Sequence, residues 1–496
     1  MRLQTMRIHT NRSFCVRRAS DESDLTKMSN VLDLVDQTVF LGERATGATC
    51  LGQCVWVYDH AIDIDGLRQF HHHLGRGRLS RRIERSPLPF GRHRWVWLSD
   101  PSDLEIVATP RPREDFDAWL SEQAAIPVDA EHGPGWHLAV LPFTDGGAGV
   151  SLVVSHCLAD GVGGCLAVME AACGYDNAIS WPAAGSRRRW RALREDARQF
   201  VRDTPAIGRA VVAAARFAGH NRGRAGSAAP PPTAPAAPLA GTDEFITLPS
   251  ATVFVDAAEW DARAHALGGT SNTLLAGLAA RLAQRVGRVV ADGSVALSMP
   301  VSERAAGDTR ANAVTNVDLT IDPAPATTDL REMRAAIKQA LIRHREVPDQ
   351  RWALLPLVPL LPKRLFARMV SVAAGGATSV VPSNLGAVNP ATNRPDGTDA
   401  DYFAMKSLYP GITKATMHRA GGVLALLSGR AREQVFVSVL AYQPGNSKDD
   451  LQQLISSTLN DFSLTGTTGW GRHYQWAARS KRLIHDERVT PLAPPA

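Results

Sequence analysis

The sequence predicts a mixed α/β protein with two lobes, and three observations lead to this prediction. Strand and helix patterns alternate in both halves of the 496-residue chain, which is typical of sheets covered by helices. The composition, 44% hydrophobic and 21% charged, is sufficient for large buried cores. Between the halves, the stretch AGSAAPPPTAPAAPLAG at 225–241 has the Ala/Pro composition of an extended linker.

In the first half, helices and strands follow each other along the chain. Apolar residues at helical spacing predict helices, and runs of β-formers predict strands. The predicted helices are 29–43, 63–77 and 161–174, and the predicted strands are 54–60, 92–98, 136–143 and 150–156. The turn TDGGAG joins the last two strands into a hairpin.

The second half repeats the mixed pattern. A strand and a helix are expected in ATVFVDAAEWDARAHAL, followed by helices at 271–287, 328–344 and 448–462 and strands at 294–302, 313–322, 378–386, 421–429 and 433–443. We therefore expect five parts. They are an N-terminal extension without ordered structure (1–27), an N-lobe (28–185), a basic helical segment with the linker (186–245), a C-lobe (246–470) and a tail (471–496).

Charge and cysteine content narrow the function classes. The formal net charge of +6 permits anionic partners such as coenzyme phosphates or a lipid surface, and we expect no nucleic acid. The six cysteines form no C-x-x-C pair, which argues against a zinc site and favours a reduced, cytoplasmic protein. No apolar run reaches the ~18 residues of a membrane-spanning helix.

The segment 351–376, RWALLPLVPLLPKRLFARMVSVAAGG, combines an apolar run with basic residues. It has two interpretations. It is either ordinary lobe surface packed beneath a loop, or a patch that rests on a membrane or lipid droplet while its basic side chains meet anionic headgroups. The basic stretch 186–222 would add to the same face.

The stretch SLVVSHCLADGVGG at 151–164 is the strongest candidate for chemistry. A neutral imidazole accepts a proton near neutral pH, so His156 at the end of a strand suits a general base. Asp160 would anchor the loop by pairing with an arginine from elsewhere in the chain. Gly161 and the glycines after it allow close backbone approach and a sharp entry into the next helix. A structural histidine remains the alternative.

The spacing H-x-x-x-D-G resembles the signature of the chloramphenicol-acetyltransferase-like superfamily. This group includes nonribosomal peptide condensation domains, polyketide-associated acyltransferases and wax ester synthase/diacylglycerol acyltransferases. The resemblance extends over roughly residues 30–465 through GPGWHLAVLPFTDGGAGVSLVVSHCLADGVGG, TSNTLLAGLAARLAQRVG, LSMPVSERAAGDTRANAVTNVDLTID and VVPSNLGAV. The usual form of the motif is H-H-x-x-x-D-G, and here Ser155 replaces the first histidine.

The resemblance implies two chloramphenicol-acetyltransferase-like lobes that form a pseudo-dimer with a tunnel between them. His156 matches the catalytic base, Asp160 the structural aspartate and Arg304 the arginine that pairs with it. The substrate channel is expected to be lined by Ser383, Asn384 and Gly386, which match the segment opposite the base, and by Ser155, which stands in place of the first histidine.

The implied activity is acyl transfer from a thioester to a hydroxyl of a lipid-like acceptor. Acyl-CoA is the favoured co-substrate because no carrier domain accompanies the lobes, and neither a bound cofactor nor a metal is expected. The alternatives are a condensation-type enzyme that uses carrier-protein-bound substrates and a catalytically silent lipid- or carrier-binding relative. The Ser-Asn-Val-Pro-Gly-Pro form associated with wax ester synthases is missing.

Three other sequence features suggest a function, but with weaker support than the histidine motif. LGGTS at 267–271 mimics a phosphopantetheine attachment site, and HHH at 71–73 suggests a metal site. Consecutive helical residues point in different directions, however, so an exposed helix end is the better interpretation of HHH. Cys157 sits beside the histidine but would face away from it on a strand, as a small core residue.

Overall fold

The computed structural model describes most of both lobes. The described residues are 29–98, 102–175, 180–225, 244–347, 352–363, 365–366, 379–443 and 447–471. The expected N-terminal extension, nearly all of the Ala/Pro linker, the tail beyond 471 and part of the 351–376 segment lie outside these ranges.

The described part of the N-lobe contains four helices and six strands. The helices are α1 (Leu34–Thr46), α2 (Ile64–Leu74), α3 (Phe116–Ala125) and α4 (Gly161–Ala172). The strands are β1 (Leu51–Tyr58), β2 (Arg81–Glu84), β3 (Arg94–Trp97), β4 (Glu105–Ile106), β5 (Trp136–Pro142) and β6 (Ala148–Ser155). A long helix, α5 (Arg189–Ala225), follows and leads towards the linker.

The chain from residue 244 onwards adds five helices and eight strands in its described part. The helices are α6 (Ala257–Ala266), α7 (Ser271–Arg285), α8 (Arg331–Glu346), α9 (Lys414–Arg419) and α10 (Lys448–Asp461). The strands are β7 (Ser250–Asp256), β8 (Val295–Ser302), β9 (Val314–Ile321), β10 (Val381–Ala387), β11 (Tyr402–Leu408), β12 (Val423–Ala431), β13 (Gln434–Tyr442) and β14 (Gly466–Thr468).

Short 3₁₀ turns connect several of these elements, at Arg113–Asp115, Ala324–Thr327, Trp352–Leu360 and Pro390–Asn393. The helices and strands predicted from periodicity are present, with ends shifted by a few residues. The first helix, for example, begins after Asp33, whose side chain accepts a hydrogen bond from the Val35 amide, and not at residue 29.

Each lobe is built on a five-stranded sheet. The order in the N-lobe sheet is β11-β1-β6-β5-β4, and the order in the C-lobe sheet is β10-β12-β13-β7-β14. Most neighbours are antiparallel, whereas β4–β5 and β10–β12 are parallel. The hairpins β2–β3 and β8–β9 stand beside these sheets. The two-lobed α/β fold expected from the sequence is therefore confirmed.

Strand β11 crosses from one half of the chain to the other. It lies at 402–408, inside the range assigned from sequence to the C-lobe, yet it pairs antiparallel with β1 of the N-lobe sheet from Leu51↔Leu408 to Val57↔Tyr402. The division into 28–185 and 246–470 therefore differs from the observed arrangement at this strand. Because β11 is hydrogen-bonded to the other lobe, it ties the two halves together.

The long apolar run at 352–360 packs against α5 and α1. Val358 is buried, Leu357 is half-buried and Leu360 is exposed. Among the described residues, no helix combines the length and apolar character that a membrane span requires.

Candidate active site

The motif loop, residues 156–160, connects the central strand β6 to helix α4. Strand β6 is buried along its whole length between β1 and β5, so its end has a fixed position in the sheet. The amide of His156 donates to the carbonyl oxygen of Cys50 at 2.9 Å. His156 itself is half-buried and lines a cavity between the lobes.

Asp160 is buried and every one of its polar atoms is engaged. It caps α4, because Oδ1 accepts from the Gly163 amide at 2.6 Å. Its Oδ2 accepts from the Ala313 amide at 2.7 Å and from Nη2 of Arg304 at 2.9 Å. Its own amide donates to the carbonyl oxygen of Ala311 at 2.9 Å. Asp160 therefore joins the motif loop to the segment between β8 and β9, residues 303–313, here named the docking loop.

Arg304 holds the docking loop in shape while it contacts Asp160. The two side chains are only 4% and 7% exposed. Arg304 also donates to the carbonyl oxygens of Arg310 at 2.8 Å and Ala311 at 3.0 Å. A Cβ atom at position 163 would lie 3.0 Å from Nη2 of Arg304, so glycine there allows this close approach. The structure thus brings Asp160, Arg304 and the glycine-containing turn together.

A second contact to the docking loop, not identified from the sequence, comes from Asp36 on α1. Its Oδ1 accepts from the backbone amide of Asn312 at 2.7 Å and from Nδ2 of Asn312 at 3.2 Å. Its Oδ2 accepts from the Ala311 amide at 3.1 Å. Asn312 Nδ2 also donates to the carbonyl oxygen of His156 at 3.1 Å, so Asp36 orients the amide that holds the backbone of the histidine.

Arg81, on β2, was also missed, and it braces the same region. Its guanidinium lies 4.2 Å from the ring centroid of Trp95 and donates from Nη2 to the carbonyl oxygen of Leu158 at 2.9 Å. A further bond from Nη1 reaches the carbonyl oxygen of Thr309 in the docking loop. Arg81 therefore contacts the motif loop and the docking loop simultaneously.

Burial shifts the pKa values of Asp36 and Arg81 towards each other. Burial raises the pKa of Asp36 to about 6, although Arg81 and the amides of Asn312 and Ala311 oppose the shift. Burial likewise lowers the pKa of Arg81 to about 10, against the attraction of Asp36. Both groups are charged at neutral pH. A sequence signal did exist for Asp36, because it occupies the buried stripe between Leu32 and Phe40 where an apolar residue is expected.

The cavity has a volume of about 360 Å³ and is lined by both lobes. His156, Asp160 and Gly161 contribute from the motif loop and the start of α4. Most of the opposite wall is apolar and comes from β9, β10, β12 and β13, through Val314, Val381, Val423, Ala425, Leu426, Leu427, Val439 and Leu440. An apolar wall facing an imidazole suits a substrate with an acyl chain.

Polar side chains on the wall opposite His156 are few. Ser383 on β10 and Asn316 on β9 line the cavity. Neither side chain forms a hydrogen bond with another described residue, so both can serve a substrate. Asn316 was not identified from the sequence, although the alternating pattern of β9 puts it on the same side as Val314.

Three residues expected to line the channel lie elsewhere. Ser155 is buried, and its Oγ accepts from the Cys157 amide at 3.2 Å. Asn384 contacts Asn272, and its Oδ1 accepts from the Gly386 amide at 2.8 Å in a local turn. Gly386, in that turn, has a φ of 71°, which glycine adopts readily. None of the three lines the cavity, and on β10 the alternation of sides directs Val381 and Ser383, but not Asn384, towards it.

The weaker candidates have structural roles. Cys157 is buried, its thiol donates to Glu43 at 3.3 Å, and burial raises its pKa, so it is a poor nucleophile. Ser271 of the LGGTS stretch accepts from the indole of Trp260 at 2.9 Å. Of the three neighbouring histidines, His71 bonds to the carbonyl of Ser102 and His73 to that of Ala171.

Within the described ranges, the one grouping of metal-ligand type is Asp129, Glu131 and His132. Its carboxylates already pair with Arg44 and Arg85, and none of the three residues lines the cavity.

Comparisons with known proteins identify the fold. No protein-family model matches the sequence, and no curated protein matches it. Solved structures do match. The first condensation domain of the CDA synthetase aligns with a TM-score of 0.53 at 14% identity, covering 89% of this chain and 99% of that one. The same domain of the calcium-dependent antibiotic synthetase, in complex with a substrate analogue, gives 0.54 at 15% identity, with coverage of 88% and 96%.

A wax ester synthase/diacylglycerol acyltransferase from Marinobacter aquaeolei VT8 gives a TM-score of 0.50 at 15% identity, with coverage of 88% and 100%. The protein therefore has the two-lobed chloramphenicol-acetyltransferase-like fold that the motif resemblance implied. It shares this fold with enzymes of condensation and of acyl transfer.

Proposed function

We propose that the protein is an acyltransferase that moves an acyl group from a thioester to a hydroxyl, with His156 as general base. The observation that carries the proposal is the position of His156. Its backbone is fixed by Cys50 and Asn312, while its side chain lines a cavity shared by both lobes. A base must be held in place and must also reach its substrate, and this arrangement meets both requirements.

The proposed reaction needs only groups that the chain and its two substrates supply. His156 takes the proton of the acceptor hydroxyl as the oxygen attacks the thioester carbonyl carbon. The carbon–sulfur bond of the tetrahedral intermediate then breaks, and the imidazolium returns the proton to the departing thiolate. Positioning of two substrates and general-base catalysis contribute much of the acceleration, without a covalent enzyme intermediate.

The oxyanion that forms during attack needs a hydrogen-bond donor on the opposite wall. Ser383 is the candidate, because its hydroxyl lines the cavity and has no other partner in the part of the chain that the structure describes. A donor aimed at developing charge in a site screened from water is among the largest contributions to catalysis.

We propose acyl-CoA as the donor and a lipid-like alcohol as the acceptor. The apolar wall formed by β12 and β13 supports an acyl substrate, and the fold shared with a wax ester synthase/diacylglycerol acyltransferase agrees with it. The fold shared with condensation domains supports the second candidate, a condensation-type enzyme that takes carrier-protein-bound substrates.

The donor assay separates these candidates. The full chain is offered a medium-chain acyl group on coenzyme A or on an acyl carrier protein, with a long-chain alcohol, and ester formation is measured. We expect ester from acyl-CoA and little from the carrier protein. The reverse preference would establish the condensation-type reaction, and absence of product from both donors, with tight binding of either, would indicate a silent binding protein.

A further inference from the structure

The outer face of α5 carries a row of arginines. Five of them, Arg194, Arg198, Arg202, Arg209 and Arg216, are exposed. Steps of four or seven residues place them on one side of the helix. At a rise of about 1.5 Å per residue the row is roughly 33 Å long. We name it the arginine row.

Asp196 and Asp203 of α5 lie on the opposite side of the helix and are already paired with arginines that precede it in the chain. Asp196 is 1% exposed and bonds to Arg94 and Arg187. Asp203 contacts Arg92 at 3.5 Å. Glu195 pairs with its neighbour Arg191 at 2.8 Å. No carboxylate in the described part of the chain pairs with the arginine row, so its positive charge is presented to solvent.

Large apolar side chains are exposed beside the arginine row. Trp190 is 81% exposed, Val201 69% and Val212 50%. All three project within the same half of the helix as the arginines, and α5 rests with its other half on the apolar run at 352–360. That run, for which the sequence left open either ordinary lobe surface or a lipid-binding patch, packs against both α5 and α1. Its Leu360 is only 38% exposed.

We propose that this face of α5 docks the protein onto an anionic phospholipid surface. A cationic row with a tryptophan and valines beside it matches a helix lying in the plane of a membrane interface. A second copy of the chain does not fit, because two arginine rows repel each other. Nucleic acid would neutralise the charge but would leave the exposed valines in water. The proposal does not depend on the acyl-transfer activity.

Vesicle co-sedimentation of the full chain tests the proposal. We expect binding to phosphatidylcholine vesicles that contain phosphatidylglycerol, weaker binding as salt rises, and little binding to pure phosphatidylcholine. The triple variant Arg198→Gln/Arg202→Gln/Arg209→Gln should bind these vesicles about 100-fold more weakly. Each tenfold loss of affinity corresponds to the removal of about one to two arginines at the interface. Failure of the unmodified protein to bind anionic vesicles at low salt overturns the proposal.

A matched control uses the exposed basic residues of α8. Lys338→Gln/Arg343→Gln/Arg345→Gln removes the same charge from another exposed helix and should leave vesicle binding within about twofold, because these residues are not part of the arginine row. Equal loss in both triple variants would show that net charge alone is responsible and would overturn the proposal. Tighter binding to a nucleic acid duplex than to the anionic vesicles would also overturn it. His156→Ala should bind vesicles normally. Loss of acyl transfer and loss of vesicle binding can therefore be distinguished.

Discussion

The two walls of the cavity are built differently. The N-lobe wall, which carries His156, is backed by buried charged groups that bond to one another or to backbone, chiefly Asp36, Arg81, Asp160 and Arg304. The C-lobe wall is mostly apolar, and its Ser383 and Asn316 have no bonds to other described residues. The contrast indicates that the N-lobe wall fixes the base and that the C-lobe wall receives the substrate.

The largest expected effect comes from breaking the ion pair behind the base. Removing one partner of a buried pair leaves the other charge unsolvated and costs about 3–5 kcal/mol. We therefore expect Asp160→Ala or Arg304→Ala to lower the free energy of unfolding by about this amount, measured by denaturant titration. The double variant should lose less than the sum of the two single losses.

The exposed pair Arg331–Asp329 provides the control for this measurement. Its side chains are 77% and 39% exposed, and Arg331→Ala should change the free energy of unfolding by no more than about 1 kcal/mol. Strict additivity of the Asp160 and Arg304 losses would contradict the role of the pair as one unit.

For the C-lobe wall we expect a substitution to change turnover and not stability. If Ser383 stabilises the oxyanion, Ser383→Ala lowers kcat about 10²-fold with an unchanged melting temperature. Ser438→Ala is the matched control, because Ser438 also lines the cavity but its hydroxyl is bonded to Thr252 at 2.9 Å. A Ser383 variant with wild-type kcat would assign oxyanion stabilisation to another donor.

The smallest expected effect is a pH dependence of stability that comes from Asp36, behind the N-lobe wall. Because the folded-state pKa of Asp36, about 6, lies above the usual carboxyl value, folding favours its protonated form. Its contribution to stability is therefore present at low pH and falls as pH rises from about 4 to 6. Relative to Asp36→Asn, the wild-type protein should lose about 1 kcal/mol of stability between pH 5 and pH 7. Parallel pH profiles for the two proteins would contradict the assignment.

The local parts of the site could be predicted from sequence, and the long-range parts could not. A run of β-formers, a turn and glycines define β6, the motif loop and α4 within 25 consecutive residues, from Ala148 to Ala172. By contrast, β11 pairs with β1 although the two are far apart in sequence, and no pattern within YFAMKSL indicates which sheet it joins.

The channel-lining residues show a further limit. The segment SNLG was matched as a unit, but side chains alternate along β10, and a bulge between Asn384 and Ala387 redirects its end. Only Ser383 therefore lines the cavity. The position of Asp36 in an apolar stripe indicates that it is buried, but its partners, like those of Asn312, are backbone groups of another element and leave little trace in its own sequence neighbourhood.

The central claim is that His156 acts as a base within a fixed loop, and one comparison tests it most directly. Turnover of the active thioester and alcohol pair is measured for the wild-type protein and for His156→Ala, with circular dichroism and melting temperature recorded on the same samples. We expect turnover to fall by roughly 10²–10⁴-fold while the melting temperature is unchanged. Near-normal turnover by a folded His156→Ala protein would contradict the claim.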